Sequence, residues 1–478
     1  MDKFTSTVKS QVFPLSCLDS YSSCVTIPLY YFFENKNGDS QFMPSILLRD
    51  SFYTTLQEFP FFTGHLRMDT GGVDAYVDID RDNLNMPDYA EYSSDVCFGD
   101  LKAANFSPSA LPREISEADI FSTGNKDGVV KLIQIKIARL RNNSGIAILA
   151  SPVHALSDAY GFCEFMKRWS LVCKEAAAGG VENTDQNISN NSTLLTDRKL
   201  LYDSLPKEGQ PLDETTAMVL GKKSMLSVLL AWLSPEKRAE FLNTVTPCAL
   251  TENHVFYLSS EKLRALKETV GTTDVASGTR LSSNDIITAV LSMVSVQSNQ
   301  VHDGDTDDET IIVNFPVDFR KRLENSNMVN YTGNCVVAPL LPFQYKELRA
   351  EINDESLATC AVKVRRLVDL VTPNYVRQSV DLISSEPDCI MRGAAHSSSI
   401  SSGFCLSNHS RIDYYGVDFG YGNPVWINPP KVYVPNYATI LPTSTYNGGC
   451  YVYLSLLKGD MERALRHKFW CSIAELVN

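Results

Sequence analysis

Ile146-Ala147-Ile148-Leu149-Ala150-Ser151-Pro152-Val153-His154-Ala155-Leu156-Ser157-Asp158 is the stretch on which the reading of this chain turns. Its first five residues are apolar without a break, as in an apolar strand. Beyond it, Phe162, Phe165, Met166, Trp169 and Val172 recur at i, i+3 and i+4 steps, the pattern of a helix packing an aromatic face on a sheet. His154 therefore falls at a strand-to-helix corner. There a side chain can project into a cleft while its neighbours hold it.

Outward from this corner, the first third of the chain alternates strands and helices. Leu48, Phe52, Leu56 and Phe59 stand at helical spacing and predict a helix that stops before Pro60. Phe62 to Met68 reads as a regular strand. Ile133, Ile135 and Ile137 alternate with Gln134 and Lys136 as in a half-buried strand. From Ala176 to about Thr193 the composition shifts to Ala, Gly, Asn, Ser and Thr, which bury too little apolar surface to order themselves. The second half repeats the mixed pattern: a strand near Val255 to Leu258, helices Ser260 to Val270 and Asn284 to Val296, and a strand Ile311 to Phe315. The acidic stretch His302 to Glu309 reads as a surface loop. The expected organisation is an N-terminal domain over 1–175, a crossover linker over 176–225 and a C-terminal domain over 226–478, with a segment near 395–430 packing on the N-terminal domain.

The chain has 478 residues, 44% apolar and 21% charged, longer than one hydrophobic core usually grows, so two domains are expected. A net charge of −13 without a Lys/Arg stripe argues against a nucleic-acid partner. The N-terminus lacks the apolar core of a signal peptide, and no apolar run reaches about 18 residues, so a cytoplasmic protein without a membrane span is expected. Twelve cysteines occur without a CxxC pair, which predicts neither a disulfide framework nor a metal site. Cys163 reads as a packing residue. There is no GxSxG, HExxH or GxxxxGK, so serine-hydrolase, metalloprotease and P-loop chemistry lack their parts.

His154 to Asp158 is an HxxxD, but so are His65 to Asp69 and His409 to Asp413. Spacing alone decides nothing among them. His65 lies inside a regular strand, where a structural histidine is the simpler reading, whereas His154 stands at the corner. Near the C-terminus runs Val417-Asp418-Phe419-Gly420-Tyr421-Gly422-Asn423-Pro424. An HxxxD after a strand, paired with a distant DFGWG-like segment, resembles the signature of the BAHD acyltransferases. Phe13-Pro14-Leu15-Ser16, Phe59-Pro60-Phe61, Gly64-His65-Leu66, Asp318-Phe319-Arg320-Lys321-Arg322-Leu323, Tyr331-Thr332-Gly333-Asn334 and the closing Gly448 to Met461 are similar to that family in the same order, across nearly the whole chain. Two departures stand out. Ala159 replaces the glycine that usually follows the motif aspartate, with a glycine only at Gly161, and Tyr421 replaces the tryptophan of DFGWG.

The resemblance implies an α/β fold of two similar mixed-sheet domains, of the chloramphenicol-acetyltransferase-like type, with a channel between them. It implies a monomeric, acyl-CoA-dependent O-acyltransferase of secondary metabolism, with acetyl-CoA the expected co-substrate, a small-molecule acceptor, and no permanently bound cofactor or metal. His154 is the expected general base, because a neutral imidazole can take a hydroxyl proton and return it to the leaving sulfur. If the helix begins near Ser157, Asp158 points away from the cleft and serves a salt bridge that fixes the corner, with Arg320 the partner the resemblance suggests. Asp418, Gly420 and Gly422 read as a structural turn. Counting back from Asp418, Ser407, Asn408 and His409 take the place of a Thr-Ser-Trp stretch that lines the tunnel in some family members, as candidates for oxyanion donor or acceptor pocket. The rival readings are N-acylation of an amine and an inactive binding or regulatory protein of the same fold.

Overall fold

The computed structural model describes residues 2–21, 25–68, 75–116, 129–179, 194–207, 209, 251–300, 309–385, 403–431 and 435–478. Gly145–Pro152 is a strand buried along its whole length. It lies at the centre of a five-stranded sheet whose spatial order is Trp426–Asn428, Leu29–Glu34, Gly145–Pro152, Ile133–Arg139, Asp88–Ser93. Both neighbours run antiparallel to it and take up its backbone groups, which is why an unbroken apolar run is tolerated there. Helix Ala159–Ala177 buries Phe162, Phe165, Met166 and Trp169. Helix Ser45–Thr55 packs beside it, and the Trp169 indole donates to the Leu48 carbonyl and the Ser51 hydroxyl, each at 3.1 Å. Each buried Phe or Met on this face contributes roughly 1.5–3 kcal/mol.

The helix expected over Leu48 to Phe59 ends sooner, at Thr55, and Pro60–Thr63 forms a 3₁₀ turn. The following strand begins at His65, not Phe62. Pro60 opens the turn, where it gives up no needed N–H. Gly64 then packs so tightly that a Cβ there would lie 2.4 Å from Val77 Cγ1.

The second half builds a seven-stranded sheet, in the order Leu340–Gln344, Thr310–Asn314, Gly403–Asn408, Tyr437–Pro442, Cys450–Leu457, Thr251–Leu258, Glu475–Leu476. Its two faces do different things. Phe256, Leu406, Ala438, Ile440, Val452 and Leu454 enter a core with helices Ser283–Ser298 and Asp354–Leu370. On the opposite face Val255, Leu441 and Tyr453 belong to the core of the N-terminal half. Asn314, Cys405, Ser407 and Tyr437 share that face and are partly buried.

Part of the expected 176–225 linker is core. The helix continues to Ala177, and residues 180–193 and 210–225 lie outside the described residues. From 194 the chain is packed: Leu195 bridges to Tyr331, Leu201 is fully buried and Arg198 is 2% exposed. The reason is the leucine content after Thr193, which the small-residue run before it lacks. The 395–430 segment divides likewise. Gly403–Asn408 is inside the seven-stranded sheet, whereas Tyr414, Val417, Phe419 and Trp426 join the N-terminal core, and Trp426–Asn428 pairs with Leu29–Glu34. The His302 to Glu309 loop lies outside the described residues except for Glu309.

Candidate active site

After Pro152 the strand gives way to a 3₁₀ turn, His154–Leu156. The turn's main chain is clamped from remote segments. The His154 N–H donates to the Val25 carbonyl at 2.8 Å, and the His154 carbonyl accepts from Asn334 Nδ2 at 2.8 Å. The Leu156 carbonyl accepts from Arg198 Nη2 at 2.5 Å. Asp19 joins the two donors: its Oδ2 accepts from Arg198 Nε at 2.8 Å, and its Oδ1 accepts from the Asn334 backbone N–H and Nδ2 at 2.9 and 2.8 Å. Asp19, Arg198 and Asn334 are all at most 2% exposed, so these charge-assisted bonds act where water does not compete. The His154 ring keeps some accessible surface, its Nδ1 is buried without a partner, and among the described residues no group occupies Nε2.

Asp158 caps the next helix by accepting from the Gly161 N–H at 2.9 Å. Arg320 grips it bidentately, Nη1 to Oδ2 at 2.8 Å and Nη2 to Oδ1 at 2.9 Å, and the Cys335 N–H adds a bond of 3.0 Å to Oδ2. Burial works to raise this carboxyl's pKa, but the Arg320 guanidinium and these N–H groups outweigh it and hold it below the ordinary carboxylate value. Arg320 also donates to the Tyr331 and Gly333 carbonyls and lies 4.7 Å from the centre of the Tyr160 ring. The family's glycine position is Ala159 here without strain, because the close approach falls two residues later. A Cβ on Gly161 would stand 2.1 Å from the Thr332 carbonyl oxygen.

Asp418 lies at the other end of the same helix. Its Oδ2 accepts from Lys174 Nζ at 2.7 Å, and its Oδ1 accepts from the Gly420 and Gly422 N–H groups at 2.9 and 3.0 Å. Both glycines have φ near +95 to +99°, a conformation that side chains rarely adopt. Lys174 is sixteen residues beyond Asp158, about 24 Å along the helix axis at 1.5 Å per residue. Phe419 packs edge-on against Trp169, so this turn closes the helix's far end.

Ser407 and Asn408 end the strand Gly403–Asn408, and His409 follows it. Asn408 is committed internally: its Nδ2 donates to Asn284 Oδ1 at 2.7 Å and its Oδ1 accepts from the Ser410 N–H. His409 has both ring nitrogens engaged, with Ser407 Oγ at 2.7 Å and the Tyr414 hydroxyl at 3.0 Å. Burial pushes its pKa down to about 4; the charge of Asp158 pulls the other way and that of His154 adds to the lowering. His409 is thus neutral. Of the other HxxxD pairs, His65 Nε2 bonds the Asn83 carbonyl, Asp69 lies outside the described residues, and Asp413 bonds Tyr446 rather than His409. Burial raises the Cys163 thiol well above its ordinary value, as suits a packing residue.

Residues 4–469 match the family described as the Transferase family. The chain is 22% identical to phenolic glucoside malonyltransferase 2 of Arabidopsis thaliana over 439 residues, 90% of this chain and 87% of that protein. It is 24% identical to anthranilate N-benzoyltransferase protein 3 of Dianthus caryophyllus over 215 residues, 45% of this chain, and there spans only 46% of the relative's length. In three dimensions it is similar to F. sporotrichioides TRI101, solved with coenzyme A and T-2, with a TM-score of 0.74 at 16% identity over 98% of this chain and 100% of that one. The family match and the acyltransferase relatives make the chain an acyltransferase, and its structural neighbours give it the chloramphenicol-acetyltransferase-like fold. The chain belongs to the Transferase family, the BAHD acyltransferases.

Proposed function

We propose that the protein transfers an acyl group, acetyl in the leading reading, from an acyl-CoA to a hydroxyl of a small secondary metabolite, with His154 as general base. The observation that carries this is the His154 imidazole: its main chain is fixed by buried partners while no side chain among the described residues occupies Nε2. A base must be held yet keep a free lone pair. Asp158 gives the imidazole no help, since its oxygens are taken by Arg320, Gly161 and Cys335. The CoA complex of TRI101, a protein of the same fold, supports an acyl-CoA donor.

In this mechanism Nε2 takes the acceptor's proton as its oxygen attacks the thioester carbonyl. The tetrahedral intermediate then expels the thiolate, which recovers the proton from His154 and leaves as free CoA. No covalent acyl-enzyme forms. The test is His154→Ala assayed by thiol release from acetyl-CoA against a panel of alcohols and amines. Turnover should fall by roughly 10²–10⁴, the usual worth of general base catalysis, with the melting temperature unchanged. Full activity in a folded variant removes His154 from the mechanism, and a wild-type preference for amines moves the reading to N-acylation.

A further inference from the structure

Arg198 holds a charge where a charge is expensive. Its side chain is 2% exposed, and its carboxylate partner among the described residues, Asp19, is fully buried. Three rings enclose the guanidinium: its central carbon lies 5.1 Å from the centre of the Phe13 ring and 5.6 Å from those of Phe61 and Tyr331. Such faces attract a cation, more so where water is excluded. Each guanidinium nitrogen has a different acceptor. Nε donates to Asp19 Oδ2 at 2.8 Å, Nη1 to the Thr196 carbonyl at 2.9 Å and Nη2 to the Leu156 carbonyl at 2.5 Å. A lysine ammonium, a point charge on a flexible stem, does not match three acceptors set round a planar fork. A buried pair of this kind is weak evidence for stability, because apolar residues of the same volume often serve as well. What apolar residues cannot do is donate to a carbonyl.

The carbonyl in question belongs to the turn that presents His154. Leu156 closes that turn, and Arg198 stands 42 positions further on, in the segment that crosses from the first half of the chain to the second. Leu195 of the same segment supports the start of the next helix. Its N–H donates to the Asn330 carbonyl at 2.9 Å and its carbonyl accepts from the Thr332 N–H at 3.0 Å, while the Thr332 carbonyl accepts from Ser157 Oγ at 2.9 Å. Asp19 adds a third support, since its other oxygen receives the Asn334 amide that holds the His154 carbonyl. We propose that Arg198 is a positioning residue for acyl transfer: the crossover segment does more than join the halves, because its guanidinium keys the His154 turn into the productive place. This rests on the reading of His154 as base. Without Nη2 the turn loses a charge-assisted bond and gains the room that the cation filled, so the imidazole drifts from the reacting hydroxyl.

Arg198→Ala should lower kcat about 10²-fold, the usual effect of misplacing a reacting group by about 1 Å, with KM for acetyl-CoA and for the acceptor unchanged. The vacated site, lined by a carboxylate, two carbonyls and three rings, suits a free guanidinium ion. Guanidinium chloride far below denaturing concentrations should restore most of the lost kcat, and ammonium chloride at equal ionic strength should not. Arg198→Lys should stay slow. A purely structural role would shift the melting temperature and leave the kcat of folded molecules alone. Trp426→Ala, whose ring packs on Phe106 and Tyr451, is the comparison: it should melt early yet keep wild-type kcat wherever it is folded. Should Arg198→Ala fail to fold because Asp19 is left uncompensated, Arg198→Met/Asp19→Asn orphans neither charge and should fold with the kcat defect intact, since methionine donates nothing to Leu156. Wild-type kcat in either folded Arg198 variant, full activity in Arg198→Lys, or equal rescue by ammonium would each overturn the proposal. An inactive His154→Ala beside a fully active Arg198→Ala sinks this inference alone, whereas a fully active His154→Ala sinks the parent reading.

Discussion

Asp158 has no oxygen free for His154. Its Oδ1 receives Gly161 and one Arg320 nitrogen, and its Oδ2 receives Cys335 and the other. The second residue of the HxxxD pair is therefore a joint between the helix it caps and the 318–335 loop, and it offers His154 no carboxylate oxygen. Such a pair is costly to break singly, since the remaining charge is buried and uncompensated. Asp158→Asn and Arg320→Met should each lose about 3–5 kcal/mol of stability in chemical denaturation. In the double variant neither charge is orphaned, so the losses should combine to less than their sum. Strict additivity would mean that the two residues do not stabilise the fold as a pair.

At the scale of elements, the corner depends on how closely the helix start approaches residues 331–334. Gly161 makes that approach possible, because an added Cβ would meet the Thr332 backbone oxygen at 2.1 Å, and backbone cannot swing aside as a long side chain can. Gly161→Ala should cost about 1–3 kcal/mol through overpacking. It should also lower kcat, since the displaced loop carries Asn334, which holds the His154 carbonyl. Melting and turnover measured on the same preparation check this, and an unaffected variant would refute the tight approach. The sequence showed the corner but not the clamp on its main chain. Strand Gly145–Pro152 and helix Ala159–Ala177 were legible because an unbroken apolar run and a 3.6-residue period leave few alternatives. Phe59-Pro60-Phe61-Phe62 is apolar in any local conformation, so its 3₁₀ turn was invisible. The clamp joins Asp19 to Arg198 across 179 positions and to Asn334 across 315, and no local pattern reports a contact at that range. Asn334 lay within a matched motif, yet nothing in that motif disclosed its partner.

Across the whole molecule, the halves exchange structure as well as touch. The C-terminal half lends Trp426–Asn428 as the edge strand of the five-stranded sheet, and the seven-stranded sheet sends Val255, Leu441 and Tyr453 into the N-terminal core. Trp426 stands at the junction, stacked on Phe106 at 5.4 Å and against Tyr451 of the seven-stranded sheet at 4.5 Å between ring centroids. Removing its ring should cost about 3–5 kcal/mol, as large-to-small changes of buried aromatics do. The more telling result is how that loss is distributed. Cys163 is buried in the N-terminal core and Cys360 in the C-terminal core, both as free thiols. If the shared strand and shared core make one cooperative unit, thiol labelling of a denaturant series should expose both cysteines at the same midpoint in the wild type. Both midpoints should fall together in Trp426→Ala. A lowered midpoint for Cys163 with that of Cys360 unmoved would show that the halves unfold independently, and that the borrowed strand decorates the N-terminal sheet without coupling it to the rest.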